Sequence, residues 1–193
     1  MQKCIYLDNN ATTKVDEAVV EAMLPYLSQY YGNPSSMHTF GGQVGRAVTE
    51  SRSHLATLLG ADPTEIVYTS CGTEGDNAAI RAAILAQPNK RHIVTTQVEH
   101  AAVINFCKLL ETQGYTVTYL SVNRQGQPDL DELEASLTGN TALVSIMYAN
   151  NETGVVFPIE KIGQIVKERG AIFHVDAVQA VGKIPLNMKE STI

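Results

Sequence analysis

Residues 141–148, Thr141-Ala142-Leu143-Val144-Ser145-Ile146-Met147-Tyr148, make a nearly continuous apolar run. A strand reads this way when both faces of its sheet are covered, as in parallel sheets flanked by helices. Outward from this run the periodicity alternates. Upstream, Glu65-Ile66-Val67-Tyr68-Thr69, His92-Ile93-Val94-Thr95-Thr96 and 116–120 read as strands; downstream, 171–175 reads as another buried strand. Helical patterns lie between them. Residues 73–86 are alanine-rich, and 101–112 are closed by Gly114. Asp129 opens a capping-box-like start with an acid three residues on, and 158–169 has Pro at its start and Gly170 at its end. Five strands alternating with helices between residues 65 and 175 predict a layered α/β domain with a largely parallel sheet.

The segment before residue 65 differs. An extended arm precedes two helical patterns. Val19, Val20, Met23, Leu24 and Leu27 share one helix face that Asp16 could cap and that Pro25 interrupts. Val44, Val48, Leu55, Leu58 and Leu59 mark the second. Residues 1–15 therefore read as an N-terminal arm and 16–193 as one domain. The 193 residues suffice for a substantial core without staples. With 14 Lys plus Arg against 20 Asp plus Glu, the net charge of −6 argues against nucleic acid or an anionic membrane as partner. Three widely spaced cysteines, Cys4, Cys71 and Cys107, give neither a disulfide framework nor a paired-cysteine metal site, and they fit a reducing compartment. No apolar run approaches the roughly 18 residues of a membrane span. A charge interrupts the short apolar stretch at the N-terminus, so it does not read as a signal peptide, and the expected location is the cytoplasm.

Ligands of such sheets sit beyond the carboxyl ends of strands. After Thr69 comes Ser70-Cys71-Gly72-Thr73-Glu74-Gly75-Asp76-Asn77, where Gly72 and Thr73 open a helix. Its free amides could cradle a phosphate, or Thr73 could simply cap a turn. After Thr96 comes Gln97-Val98-Glu99-His100, where the imidazole could stack on a planar ligand, move a proton, or cap a helix. Asn150-Asn151-Glu152-Thr153-Gly154 could bond a ligand or make a tight turn. Asp176, at the end of the last strand, is costly there unless paired, so a cation, a salt bridge or a cap is expected. His92 and His174, within strands, read as structural. Taken together, a phosphate cradle, a ring-stacking His, an Asn and a carboxylate suit a ligand with a phosphate, an aromatic ring and a ring cation. Pyridoxal phosphate is such a ligand, with Asp176 keeping its ring nitrogen protonated.

The chain resembles the N-terminal half of the pyridoxal-phosphate cysteine desulfurases of the nitrogen-fixation and iron–sulfur-assembly type, within the class V aminotransferases. Six motifs carry the resemblance in family order: Leu7-Asp8-Asn9-Asn10-Ala11-Thr12-Thr13, Gly32-Asn33-Pro34-Ser35-Ser36-Met37-His38, Thr69-Ser70-Cys71-Gly72-Thr73-Glu74, Val98-Glu99-His100, 147–154 and His174-Val175-Asp176-Ala177-Val178-Gln179. The resemblance implies a three-layer, fold-type-I large domain that is incomplete over 16–193. It implies phosphate binding by Gly72 and Thr73, ring stacking and proton transfer by His100, and a ring-nitrogen contact from Asp176. Gln179 would bond the phenolic oxygen, Asn151 would lie near that oxygen and the substrate carboxylate, and Asn33 would shape the substrate side. It further implies a homodimer, L-cysteine as substrate, and an iron–sulfur scaffold protein as sulfur acceptor. Cys71 stands where the family has Gly. The family's Ser-x-His-Lys segment with the Schiff-base lysine, its persulfide cysteine and its small domain have no counterpart here; Lys183 and Lys189 read as surface residues. The expectation is a fragment. The other readings are a truncated dimerisation module, a selenocysteine lyase or related aminotransferase, and, weakened by the lack of a standard phosphate loop, a nucleotide-binding domain.

Overall fold

The structure, a computed structural model, describes residues 4–193. It divides into two compact units, one ending at Val67 and the other running from Tyr68 to Ile193.

In the first unit, α1 spans Glu17–Ser28 and α2 spans Thr39–Leu59. Asp16 caps α1 by accepting the Ala18 amide, as its sequence position suggests. Pro25 lies within the helix without ending it. The apolar stripe of α1 is largely solvent-facing in this unit, and none of its residues is buried. His38 caps α2 through Nδ1, and Gly41 sits so close to the Asn33 carbonyl that a Cβ would lie 2.5 Å from it. The strand expected at 65–69 does not form. Pro63 and a Glu65 carboxylate that accepts the Asp62 amide at 2.8 Å draw 63–65 into a single 3₁₀ turn. The segment after it is extended at Ile66 but enters no sheet among the described residues. Propensity made it strand-like; a ladder also needs a neighbour.

The second unit is the layered α/β domain. Its strands are β1 (His92–Thr96), β2 (Thr116–Leu120), β3 (Thr141–Ser145) and β4 (Ile172–His174), all parallel, in the order β2-β1-β3-β4. Its helices are α3 (Gly72–Ala86), α4 (Ala101–Thr112), α5 (Leu130–Ser136) and α6 (Ile159–Glu168). Alternate side chains of the central strands face opposite layers. Ile93 and Leu143 pack with Ile80, Ile84, Val103, Phe106 and Leu110 of α3 and α4. Val94 and Val144 pack with Leu133, Ile159, Ile162 and Val166 of α5 and α6. Every residue of β1 and β3 is buried, which explains the nearly continuous apolar run over 141–148. β4 is only half-buried because it ends the sheet among the described residues. The β3 ladder stops at Ser145, yet Ile146 and Tyr148 still donate to the His174 and Asp176 carbonyls. Gly114 and Gly170 follow α4 and α6 at φ +87° and +66°, conformations that favour glycine. Asp129 caps α5, but the capping box is not completed. Glu132 instead accepts from the Ser121 amide and hydroxyl. His92 is structural, bonded to Thr141 and Thr118 hydroxyls on its two neighbouring strands.

Candidate functional site

The connections run from β1 outward to β2 and from β3 outward to β4 on the other side. The switch point therefore lies between β1 and β3, and in open sheets the ligand crevice lies beyond the carboxyl ends there. The loop after β1 is tied down from three directions. Gln97 donates its amide to the Leu120 carbonyl at 3.0 Å. The Asn150 side chain donates to the Val98 carbonyl at 3.0 Å. Glu99 Oε1 accepts the Thr96 hydroxyl at 2.6 Å and the Met147 amide at 3.1 Å. His100 then caps α4, its Nδ1 accepting the Ala102 amide at 3.2 Å. A neutral imidazole in this role carries its proton on Nε2.

The turn after β3 is made by Asn150. Its Oδ1 accepts the Glu152 and Thr153 amides and the Thr153 hydroxyl. Asn151 is half-buried, and its amide donates to Glu152 at 2.8 Å.

The start of α3 favours an anion. The Glu74 amide foremost, then the Ser70 hydroxyl and, more weakly, the Thr73 amide hold the exposed Cys71 thiol below its ordinary value, against the opposing effects of burial and the Glu74 carboxylate. These are the donors that would meet a phosphate. A Cβ on Gly72 would lie 3.3 Å from the Val178 side chain, so the helix start abuts the turn after β4. A cavity of about 370 Å³ opens beside it, lined among others by Thr73, Asn77, His100, Asn105 and Phe106. Asn77 Oδ1 is buried with no partner among the described residues.

Three acids converge here. Asp76 is buried on the inner face of α3. Burial, then repulsion from Asp176, pushes it up to about 6, and attraction to His100 opposes the rise. Burial pushes Glu99 up to about 8, against its two hydrogen bonds and with help from Asp176 and Asp76. Asp176 is half-buried and accepts the Val178 amide at 3.0 Å, and no Lys or Arg of the described residues forms an ion pair with it. His174 Nδ1 lies 2.9 Å from the Ser145 hydroxyl and its Nε2 lies 3.8 Å from Asp76. Burial depresses its pKa more than Asp176 raises it, so the imidazole is neutral and the Asp76 contact is no ion pair.

Thr73 and His100 thus line one cavity, Gly72 abuts the turn after β4, and Asp176 lies within electrostatic reach of Asp76 and Glu99. Gln179 is half-buried nearby in sequence, its Oε1 accepting from Lys183 at 2.7 Å. Asn33 belongs to the first unit, where its side chain accepts the Ser35 amide at 2.9 Å and shapes its own loop. Lys183 and Lys189 are exposed. The sequence reading gives no role to Asp76, Asn77 or Glu99. The available signal for Asp76 is an acid one turn before Ile80, within the buried register of α3.

An open parallel sheet with helices on both faces, an anion-favouring helix start and a cluster of acids near its switch point is the architecture of a layered α/β domain. The chain belongs to the aminotransferase class-V family, whose model matches residues 5–193. It is 82% identical over 189 residues to a cysteine desulfurase of Nostoc sp., covering 98% of this chain and 47% of that protein. It is 50% identical over 190 residues to the cysteine desulfurase NifS of Azotobacter vinelandii, with the same coverage. Among solved structures, a NifS-like protein superposes with TM-score 0.93 at 41% identity, over 96% of this chain and 52% of that one. SspA in complex with cysteine superposes with TM-score 0.91 at 37% identity, over 95% and 53%. The chain spans about half the length of the curated relatives it matches. Among the described residues, no helix is long and apolar enough to cross a membrane.

Proposed function

We propose that this crevice binds pyridoxal 5′-phosphate and that the whole protein is a cysteine desulfurase. The reaction would move sulfur from L-cysteine to an enzyme thiol, leaving L-alanine and a persulfide. Residues 1–15 would serve as an arm and 16–193 as most of the cofactor domain. The observation that carries the reading is the convergence on Asp76, which feels both the Asp176 carboxylate and His100 beside the cavity that Thr73 and His100 line.

The residues fit the cofactor. The amides that stabilise a thiolate at Cys71 suit a phosphate held by Gly72 and Thr73. The buried, unpartnered Asn77 oxygen asks for a donor. Asp176, without an ion pair to a protein cation, suits a protonated ring nitrogen. Bound there, the cofactor supplies an electron sink for carbanion chemistry at the substrate Cα. His100 would face the ring and offer Nε2 for proton movement. Gln179, whose Oε1 accepts from Lys183, would bond the phenolic oxygen. Asn151 would lie near the same oxygen and the substrate carboxylate, and Asn33 would shape the substrate side. The names of the relatives and the cysteine complex of SspA support L-cysteine as substrate. A homodimer, an iron–sulfur scaffold protein as acceptor and a nitrogen-fixation role follow from the same kinship. The test uses the full-length gene product. Added pyridoxal phosphate should give a bound absorbance band, and L-cysteine should then give alanine and persulfide in equal amounts. Cofactor binding without either product would refute the desulfurase reading.

A further inference from the structure

The Glu99 carboxyl is buried at 8% exposure and accepts two hydrogen bonds. One donor, Thr96, ends β1; the other, Met147, follows β3. Its single oxygen thus joins the two strands that border the switch point. Asn150, also 8% exposed, repeats the link one step along, from the β3 side to Val98. The loop between these two ties ends in His100. We infer that Glu99 and Asn150 form a two-point clamp that sets the position of the His100 ring in the crevice. Glu99 is therefore a positioning residue, and the inference rests on the cofactor reading above.

The clamp needs the shape and acceptor of Glu99, not a negative charge. Oε2 has no partner among the described residues, and the charged groups that act on Glu99 most strongly are Asp176 and Asp76, both acids. Burial accordingly keeps the group a neutral acid at pH 7, and glutamine reproduces its accepting oxygen. Alanine removes both tethers. The Thr96 hydroxyl and Met147 amide are then left buried without their acceptor, and the loop is free to turn His100 away.

The probe is pyridoxine 5′-phosphate, which has the ring and phosphate but no aldehyde, so its affinity reports ring and phosphate contacts alone. Its dissociation constant is measured by calorimetry on the full-length protein freed of cofactor. Because the effect is routed through one ring contact, Glu99→Ala should weaken binding by about 3- to 10-fold. Glu99→Gln should bind as the unaltered protein does. In a His100→Ala background, Glu99→Ala should cost nothing further, because the ring it positions is gone. If Glu99→Ala does not fold, Thr96→Val, which keeps the shape and removes one tether, takes its place in the cycle with a smaller loss. Equal weakening in both backgrounds, or a Gln variant as weak as the Ala variant, would overturn the clamp. Failure of the unaltered protein to bind the probe would instead overturn the cofactor reading, and the clamp with it. Binding that His100→Ala leaves unchanged would remove His100 from the ring and refute the clamp alone.

Discussion

Glu99→Gln should alter how stability depends on pH, and the size of the effect follows from the site. In the folded protein Glu99 keeps its proton to about pH 8, chiefly because it is buried, while the unfolded chain releases it near 4.5. Between those values the native state holds one proton more than the unfolded state. Stability must therefore fall as pH rises, by about 1.4 kcal/mol per pH unit for one group. The contribution is complete below the unfolded value and is lost as pH rises through the folded one. Glutamine cannot ionise, so its variant lacks this slope. Asp76 has the same sign in a lower window, up to about 6, and is present in both proteins. The stability difference, variant minus unaltered, should grow by roughly 2–3 kcal/mol between pH 5 and pH 7. Urea unfolding of the full-length protein, followed by circular dichroism at pH 5, 6, 7 and 8, measures it. Parallel curves, or an unaltered protein that gains on the variant as pH rises, would mean an ionised Glu99 with a cation beside it, and would refute the burial argument.

Other outcomes are testable in the same protein. Asp176→Asn keeps an acceptor for the Val178 amide, since Asn caps as well as Asp, but removes the charge offered to a ring nitrogen. With cofactor bound, single-turnover alanine formation should slow by about 10- to 150-fold, the worth of a charge-assisted hydrogen bond; an unchanged rate at full occupancy would remove Asp176 from the site. Gly163→Ala would ordinarily steady a helix by up to about 1 kcal/mol. Here the added Cβ collides with the Thr192 side chain and lies 3.1 Å from the Phe173 ring, so the melting temperature should drop, and a rise would refute the packing. In thiol labelling at pH 7, Cys71 should react readily, because it is exposed and its thiol is depressed. Cys107, buried and pushed up to about 12, should react only on unfolding, and pyridoxine phosphate should slow labelling of Cys71.

The parts of the fold that were legible in the sequence are those whose cause is local. A strand buried on both faces is rich in apolar and β-branched residues, so β1 and β3 could be read with correct starts. Helix ends were legible where a cap is a single residue, as with Asp16, Asp129 and Gly170. The failures are non-local. Residues 65–69 have strand composition, but pairing depends on a neighbouring strand that composition cannot announce. Glu132 had the spacing of a capping box and was taken by Ser121, eleven residues away. Half-burial of β4 is a property of sheet order, which no single segment carries.

The candidate site divides along the same line. His100 and Asp176 were visible because each follows a strand that the pattern reveals. Each also turned out to fill the modest role weighed against the interesting one, for both cap backbone amides. The two roles are compatible, since a cap uses Nδ1 or one carboxylate oxygen and does not engage the other atom. Asp76 and Glu99 were not visible, because their meaning depends on each other. Each alone is a surface-type residue at an unremarked position. Only the folded chain brings them within electrostatic reach of Asp176, and then three acids cannot all ionise cheaply in one crevice. The crevice meets that constraint at Glu99, which burial keeps protonated, leaving the half-buried Asp176 as the acid offered to a cation. Asp176 is then the acid left for a cation, across the crossover from the start of α3 that Gly72 brings against Val178.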